Sequence, residues 1–133
     1  MRLNAIAVFI VEDEPLIKEI LQIALEDSGF EVNTACNGMQ AIARLEAQPT
    51  KFQALITDVN LSRSKLTGWD VARRARELKP DLPVVYMTGD CAHEWASIGV
   101  PDSVLLMKPF TPSQLLKAVS QLLHGSNPDA PSR

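Results

Sequence analysis

Four short apolar runs, each handing the chain over to a polar side chain, constrain this sequence more than anything else in it. Ile10-Val11 runs into Glu12-Asp13, Ala54-Leu55-Ile56 into Thr57-Asp58, Val84-Val85-Tyr86-Met87 into Thr88, and Val104-Leu105-Leu106-Met107 into Lys108. Unbroken runs of this length between helical stretches read as strands of a parallel sheet, because helices cover such strands on both faces. In an open sheet of that kind, ligands bind beyond the carboxyl ends of the strands. Glu12, Asp13, Asp58, Thr88 and Lys108 are therefore expected to gather along one edge.

The rest of the chain keeps the same alternation. Residues 5–11 make the first expected strand. Pro15 opens a helix with Leu16, Ile17, Ile20, Leu21, Ala24 and Leu25 on one stripe, closing near Gly29. Phe30, Val32, Thr34 and Cys36 alternate as a second strand, and Asn37-Gly38 caps a helix through Leu45. After a third strand at 53–58, a helix over 69–78 turns Trp69, Val71, Ala72, Ala75 and Leu78 inward. The fourth strand is 83–87, a short helix covers 91–98, and the fifth strand is 103–107. Thr111-Pro112-Ser113-Gln114 reads as a capping box with proline at the first helical position. The stripe of that last helix is Leu115, Leu116, Val119, Leu122 and Leu123, and Gly125 stops it. Five βα units give one domain over 5–124, followed by a Pro/Ser/Asp-rich tail, 125–133, expected to be disordered.

A chain of 133 residues has room for one core. Its 16 acidic and 13 basic residues leave a charge of −3 with no basic block, which argues against a nucleic-acid partner. No apolar run approaches the ~20 residues of a membrane span, and no signal peptide is recognisable. A cytoplasmic protein without a membrane partner is expected, with Cys36 and Cys91 as reduced thiols.

Glu12, Asp13 and Asp58 on one edge would repel one another unless a proton or a hard divalent cation intervened. Mg²⁺ accepts few protein carboxylates and keeps sites open for phosphate oxygens. Thr88 can donate a hydrogen bond to a phosphoryl group, and Lys108 adds a point charge. That set suits a carboxylate nucleophile attacking phosphorus.

The whole pattern resembles the receiver domain of bacterial two-component response regulators. The resemblance rests on Glu12-Asp13 after the first strand, Asp58 ending the third, Thr88-Gly89 ending the fourth and Lys108-Pro109-Phe110 ending the fifth. Each motif alone is weak; four in order at strand ends are specific. The resemblance implies an α/β flavodoxin-like fold: a doubly wound five-stranded parallel sheet, order 2-1-3-4-5, with five helices in three layers. It implies that Asp58 accepts phosphate from a histidine kinase or histidine phosphotransfer protein. Asp13 and Asp58 would bind Mg²⁺ by side chain, Glu12 mainly through water, and Asn60 through its backbone carbonyl. Thr88 and Lys108 would meet the phosphoryl group, and the Lys108–Pro109 peptide would be cis. The downstream partner would be a protein, not identified by the sequence.

Three departures from the family pattern stand out. Leu105 occupies the place, three before the lysine, where an aromatic residue usually sits. Asn60-Leu61-Ser62 lacks the usual proline, and the loop to Gly68 is about two residues longer than the family pattern, with Arg63 and Lys65 in it reading as solvated. No output domain follows the last helix, so a stand-alone receiver acting by docking is expected. The alternatives are an unphosphorylated interaction module, given some room by Leu105 but opposed by the intact acids, Thr88 and Lys108, and a Mg²⁺-dependent aspartyl phosphatase, disfavoured by Asn60 where a second acid is wanted. A flavin site would want a phosphate-cradling first loop, which Glu12-Asp13-Glu14-Pro15 is not. Singly, each residue has a plainer reading: Glu12 and Asp13 as helix N-terminal acids, Asp58 as a loop cap, Lys108 as an exposed base. Tyr86 reads as core, and Trp95 either as an anchor of its helix or as a partner-facing aromatic. His93 and His124 read as surface residues, while Asn60 and Asp90 flank the pocket where they would tune hydrolysis.

Overall fold

The structure is a computed structural model that describes residues 5–61, 65–90 and 92–124. Strands and helices alternate through it: β1 (Ala7–Val11), α1 (Pro15–Asp27), β2 (Glu31–Ala35), α2 (Gly38–Ala47), β3 (Ala54–Asp58), α3 (Gly68–Leu78), β4 (Val84–Thr88), α4 (Trp95–Ile98), β5 (Ser103–Met107) and α5 (Pro112–Leu123). The strands form one sheet in the order β2-β1-β3-β4-β5, parallel throughout. The chain steps outward from β1 to β2, then returns past β1 to lay down β3, β4 and β5. Strand order therefore reverses between β1 and β3, which opens a crevice at their carboxyl ends.

The central strands β1, β3 and β4 are buried along their whole length, as their unbroken apolar runs require. Side chains alternate between two cores. Phe9, Val11, Leu55 and Tyr86 pack on one side with residues of α2 and α3; Val8, Ile10, Ile56, Val85 and Met87 pack on the other with residues of α1 and α5. The fold is the three-layer doubly wound architecture expected from the sequence.

Local chemistry sets the helix starts. The Asn37 side chain accepts the Gln40 N–H at 2.8 Å. Thr111 and Gln114 form the expected capping box, and Thr67 with Asp70 forms a second one that starts α3. The described residues of the expected 91–98 helix, 92–98, do not make one helix: Ala92–Glu94 is a 3-10 turn and α4 is a single α-helical turn. Nor is the whole expected stripe of α1 buried. Leu21 and Leu25 are core, but Leu16 is 69% and Ile20 48% exposed, because only one row of the helix faces the sheet. Strand β2 ends at Ala35, and Cys36 beyond it is exposed. The expectations for Arg63, Cys91, Gly125 and the tail fall outside the described residues. No described helix is long and apolar enough to cross a membrane.

Candidate functional site

The site is assembled from strand ends. Glu12 and Asp13 follow β1, Asp58 closes β3, Thr88 closes β4 and Lys108 follows β5. In register, Asp58 lies opposite Met87, one residue short of Thr88. The Lys108 N–H donates to the Thr88 carbonyl at 2.7 Å, tying the two remaining ends together. Residues up to 96 positions apart in the chain thus meet at one edge.

Lys108 Nζ lies 2.9 Å from Asp58 Oδ2 and 3.5 Å from Glu12 Oε1. Glu12 is completely buried, and Asp58 and Thr88 nearly so. The second Glu12 oxygen accepts the Glu14 N–H at 3.1 Å, just ahead of α1. Burial, and then the negative charge of Asp58, push the Glu12 carboxyl up to about 7, against the pull of the Glu14 N–H and Lys108. Burial works to lower the Lys108 ammonium, but the hydrogen bond to Asp58 and the charges of Asp58 and Glu12 outweigh it and hold its pKa above the ordinary value.

Carboxylate oxygens of Glu12, Asp13 and Asp58 lie within 4.8 Å of one another. One lysine does not cancel three carboxylates, and the Asp58 charge adds to burial in raising Glu12. A hard divalent cation fits such an all-oxygen group and would relieve it. Asn60 stands beside it: its N–H donates to Asp58 Oδ1 at 3.3 Å and its side-chain amide to Asp90 Oδ1 at 3.0 Å. The Asp90 N–H in turn donates to the Thr88 hydroxyl at 3.3 Å. Glu12, Asp13, Asp58, Asn60, Thr88 and Lys108, the site residues expected from the sequence, lie at this edge, and the Lys108–Pro109 peptide is cis, as the resemblance implied.

Three features were not legible beforehand. The Asn60–Asp90 bond joins residues 30 apart with no spacing signal. The buried Thr57 hydroxyl donates to the Asp58 carbonyl at 3.0 Å, although its strand position reads as plain core. Gly68 brings the start of α3 so close that a Cβ there would overlap that same carbonyl; the lone glycine ahead of Trp69 was the available signal. Tyr86 is core, as expected. Trp95 is an anchor: its indole N–H donates to Ser103 Oγ at 2.9 Å, and a Cβ on Gly99 would collide with its ring. His93 and His124 are exposed.

Beside Lys108, α1 and the Pro109-Phe110 turn enclose a groove of about 390 Å³ lined by Ile17, Ile20, Leu21, Phe110 and Pro112. The exposed Leu16, Ile20 and Ile23 continue that apolar surface along the helix.

Comparison with known proteins agrees with this fold. The response regulator receiver domain family matches residues 8–120. The chain is 32% identical to the response regulator receiver protein CpdR of Brucella abortus, over 87% of this chain and 95% of that protein. It is 31% identical to the alkaline phosphatase synthesis transcriptional regulatory protein PhoP of Bacillus subtilis over 94% of its own length, but spans only about half (51%) of that relative. Among solved structures, a response regulator receiver protein from Sinorhizobium medicae superposes with a TM-score of 0.87 at 42% identity, covering 92% of this chain and 97% of that one.

Proposed function

The chain belongs to the response regulator receiver domain family, and from that membership we propose that it works as a phosphorylation-controlled docking switch. A histidine kinase or histidine phosphotransfer protein supplies the phosphoryl group and Asp58 accepts it. A carboxylate oxygen of Asp58 attacks phosphorus, the phosphorus–nitrogen bond of the phosphohistidine breaks, and the imidazole leaves with that electron pair. Asp13 and Asp58 would hold Mg²⁺ by side chain, Glu12 mainly through water and Asn60 by its backbone carbonyl, and the ion would supply positive charge to offset that on the transferring oxygens.

The chain's own residues do the rest. Lys108, already 2.9 Å from Asp58, pairs with a phosphoryl oxygen as negative charge builds there. The Thr88 hydroxyl donates to a second oxygen. The added group carries about −1.5 to −2 charges, so the segments bearing Thr88 and Lys108 rearrange around it and the surface they support changes. Turnover of a small molecule is not the purpose; the protein catalyses its own phosphotransfer and autodephosphorylation, in the cytoplasm.

The observation that carries this reading is the contact of Lys108 with a nearly buried Asp58 inside a group of three carboxylates. The donor's docking place is supported by the apolar groove beside Lys108 and the exposed stripe of α1, a surface suited to packing against helices. Intact mass spectrometry after incubation with Mg²⁺ and acetyl phosphate tests the proposal. One phosphoryl adduct is expected, absent in Asp58→Ala. No adduct from acetyl phosphate or from a cognate kinase would leave an unphosphorylated interaction module instead.

A further inference from the structure

The position on β5 where the family pattern has an aromatic residue holds Leu105, half-buried and without a polar group. An aromatic with a hydroxyl is present one strand over. Tyr86 on β4 is in register with Leu105, is fully buried, and sits two residues before Thr88, on the same face of the strand. Its ring packs on Trp69 of α3 with centroids 4.6 Å apart. Its hydroxyl crosses to the turn between α4 and β5 and accepts the Val100 N–H at 3.0 Å. Burial raises the pKa of that hydroxyl, so it stays neutral.

The turn it reaches is held from several sides. Ser103 Oγ donates to the Val100 carbonyl at 2.6 Å and accepts the Trp95 indole N–H at 2.9 Å. Arg76 of α3 donates to the carbonyls of Leu82 at 2.6 Å and Asp102 at 3.5 Å. Of these holding groups, Tyr86 belongs to the strand that ends in Thr88. A strand rises about 3.3 Å per residue and is stiff in its ladder, so Tyr86 and Thr88 move together rather than independently. The element on the far side is easily displaced: α4 is one turn, and its Ala96, Ser97 and Ile98 are exposed.

We propose that Tyr86 is the residue that carries the state of the pocket to the α4–β5 surface, through a hydroxyl bond to Val100 that holds in the unphosphorylated protein and is released on phosphorylation. The inference rests on the reading of Asp58 as phosphoacceptor. When Thr88 is drawn to the phosphoryl group, β4 shifts and the hydroxyl withdraws from the Val100 N–H. The turn and α4 are then free to repack against a partner. Leu105 takes no part beyond filling space beside the ring.

Residue-resolved amide exchange at Val100 tests this, with intact mass recorded on the same samples. Wild type and Tyr86→Phe are each compared with and without acetyl phosphate and Mg²⁺. In wild type, Val100 protection is expected to fall at least tenfold once the Asp58 adduct forms. In Tyr86→Phe the adduct forms as in wild type, but Val100 is unprotected from the start and does not respond. Ser103→Ala, which removes the bonds to Trp95 and to the Val100 carbonyl but leaves Tyr86 in place, is expected to keep the fall in Val100 protection on phosphorylation. Unchanged Val100 protection in adduct-bearing wild type, or a full response in Tyr86→Phe, overturns the coupling while leaving the phosphoacceptor reading intact. Absence of any wild-type adduct sinks both.

Discussion

Glu12 and Asp58 stand as neighbouring carboxylates almost without solvent, and Lys108 touches both. Unit charges ~4 Å apart interact by about 4 kcal/mol at an effective dielectric near 20, so the pocket is poised for whatever adds positive charge. Its accuracy depends on a residue with no side chain. Gly68 packs against the Asp58 carbonyl and donates its N–H to the Val59 carbonyl at 2.8 Å, setting where the acceptor strand ends. Gly68→Ala puts a methyl group into that backbone contact, and the backbone must give way. A loss of about 1–3 kcal/mol is expected, read from the urea midpoint. The adduct with acetyl phosphate should form at least ~10-fold more slowly, because a misplaced reacting group costs rate steeply.

Among the elements, α1 shows most clearly what periodicity does and does not reveal. Its apolar positions are one stripe in sequence, yet Leu21 and Leu25 are core while Leu16, Ile20 and Ile23 remain 48–69% exposed. A repeat near 3.6 says that a helix has an apolar side; the width of that side covered by the sheet depends on neighbouring α5. The uncovered row is expected to serve the phosphodonor. Leu16→Ser with Ile20→Ser should leave stability within about 0.5 kcal/mol, since both side chains are already exposed. Adduct formation from acetyl phosphate should be unchanged, whereas transfer from the cognate histidine kinase should slow at least ~10-fold; equal rates from the kinase would remove α1 from the docking surface. The shortest element was the hardest to read, because 92–98 lacks the length for periodicity to separate a 3-10 turn from an α-turn. The caps of α2 and α5, by contrast, were plain in the residues themselves.

At the scale of the whole molecule, the reversal of strand order between β1 and β3 turns separate chain ends into one pocket. A cation bound there joins segments from both sides of the reversal, so its affinity is also stability. At ~100 times its dissociation constant, Mg²⁺ should stabilise the fold by about 2.7 kcal/mol. For a domain of this size, that is a rise in melting temperature of several degrees. EDTA should reverse it and Asp13→Asn should largely abolish it; an unshifted melt at high Mg²⁺ would remove the metal from the proposal. From the sequence alone came the element types, the alternation that dictates a two-sided parallel sheet, and the acids, hydroxyl and lysine at strand ends, because short-range periodicity and strand-end position are local properties. Tertiary structure alone decided that Asn60 meets Asp90, that Gly68 abuts Asp58, which row of α1 stays bare, and that Tyr86 reaches Val100. Each of those depends on the distance between elements packed in three dimensions, a quantity that no interval along the chain encodes.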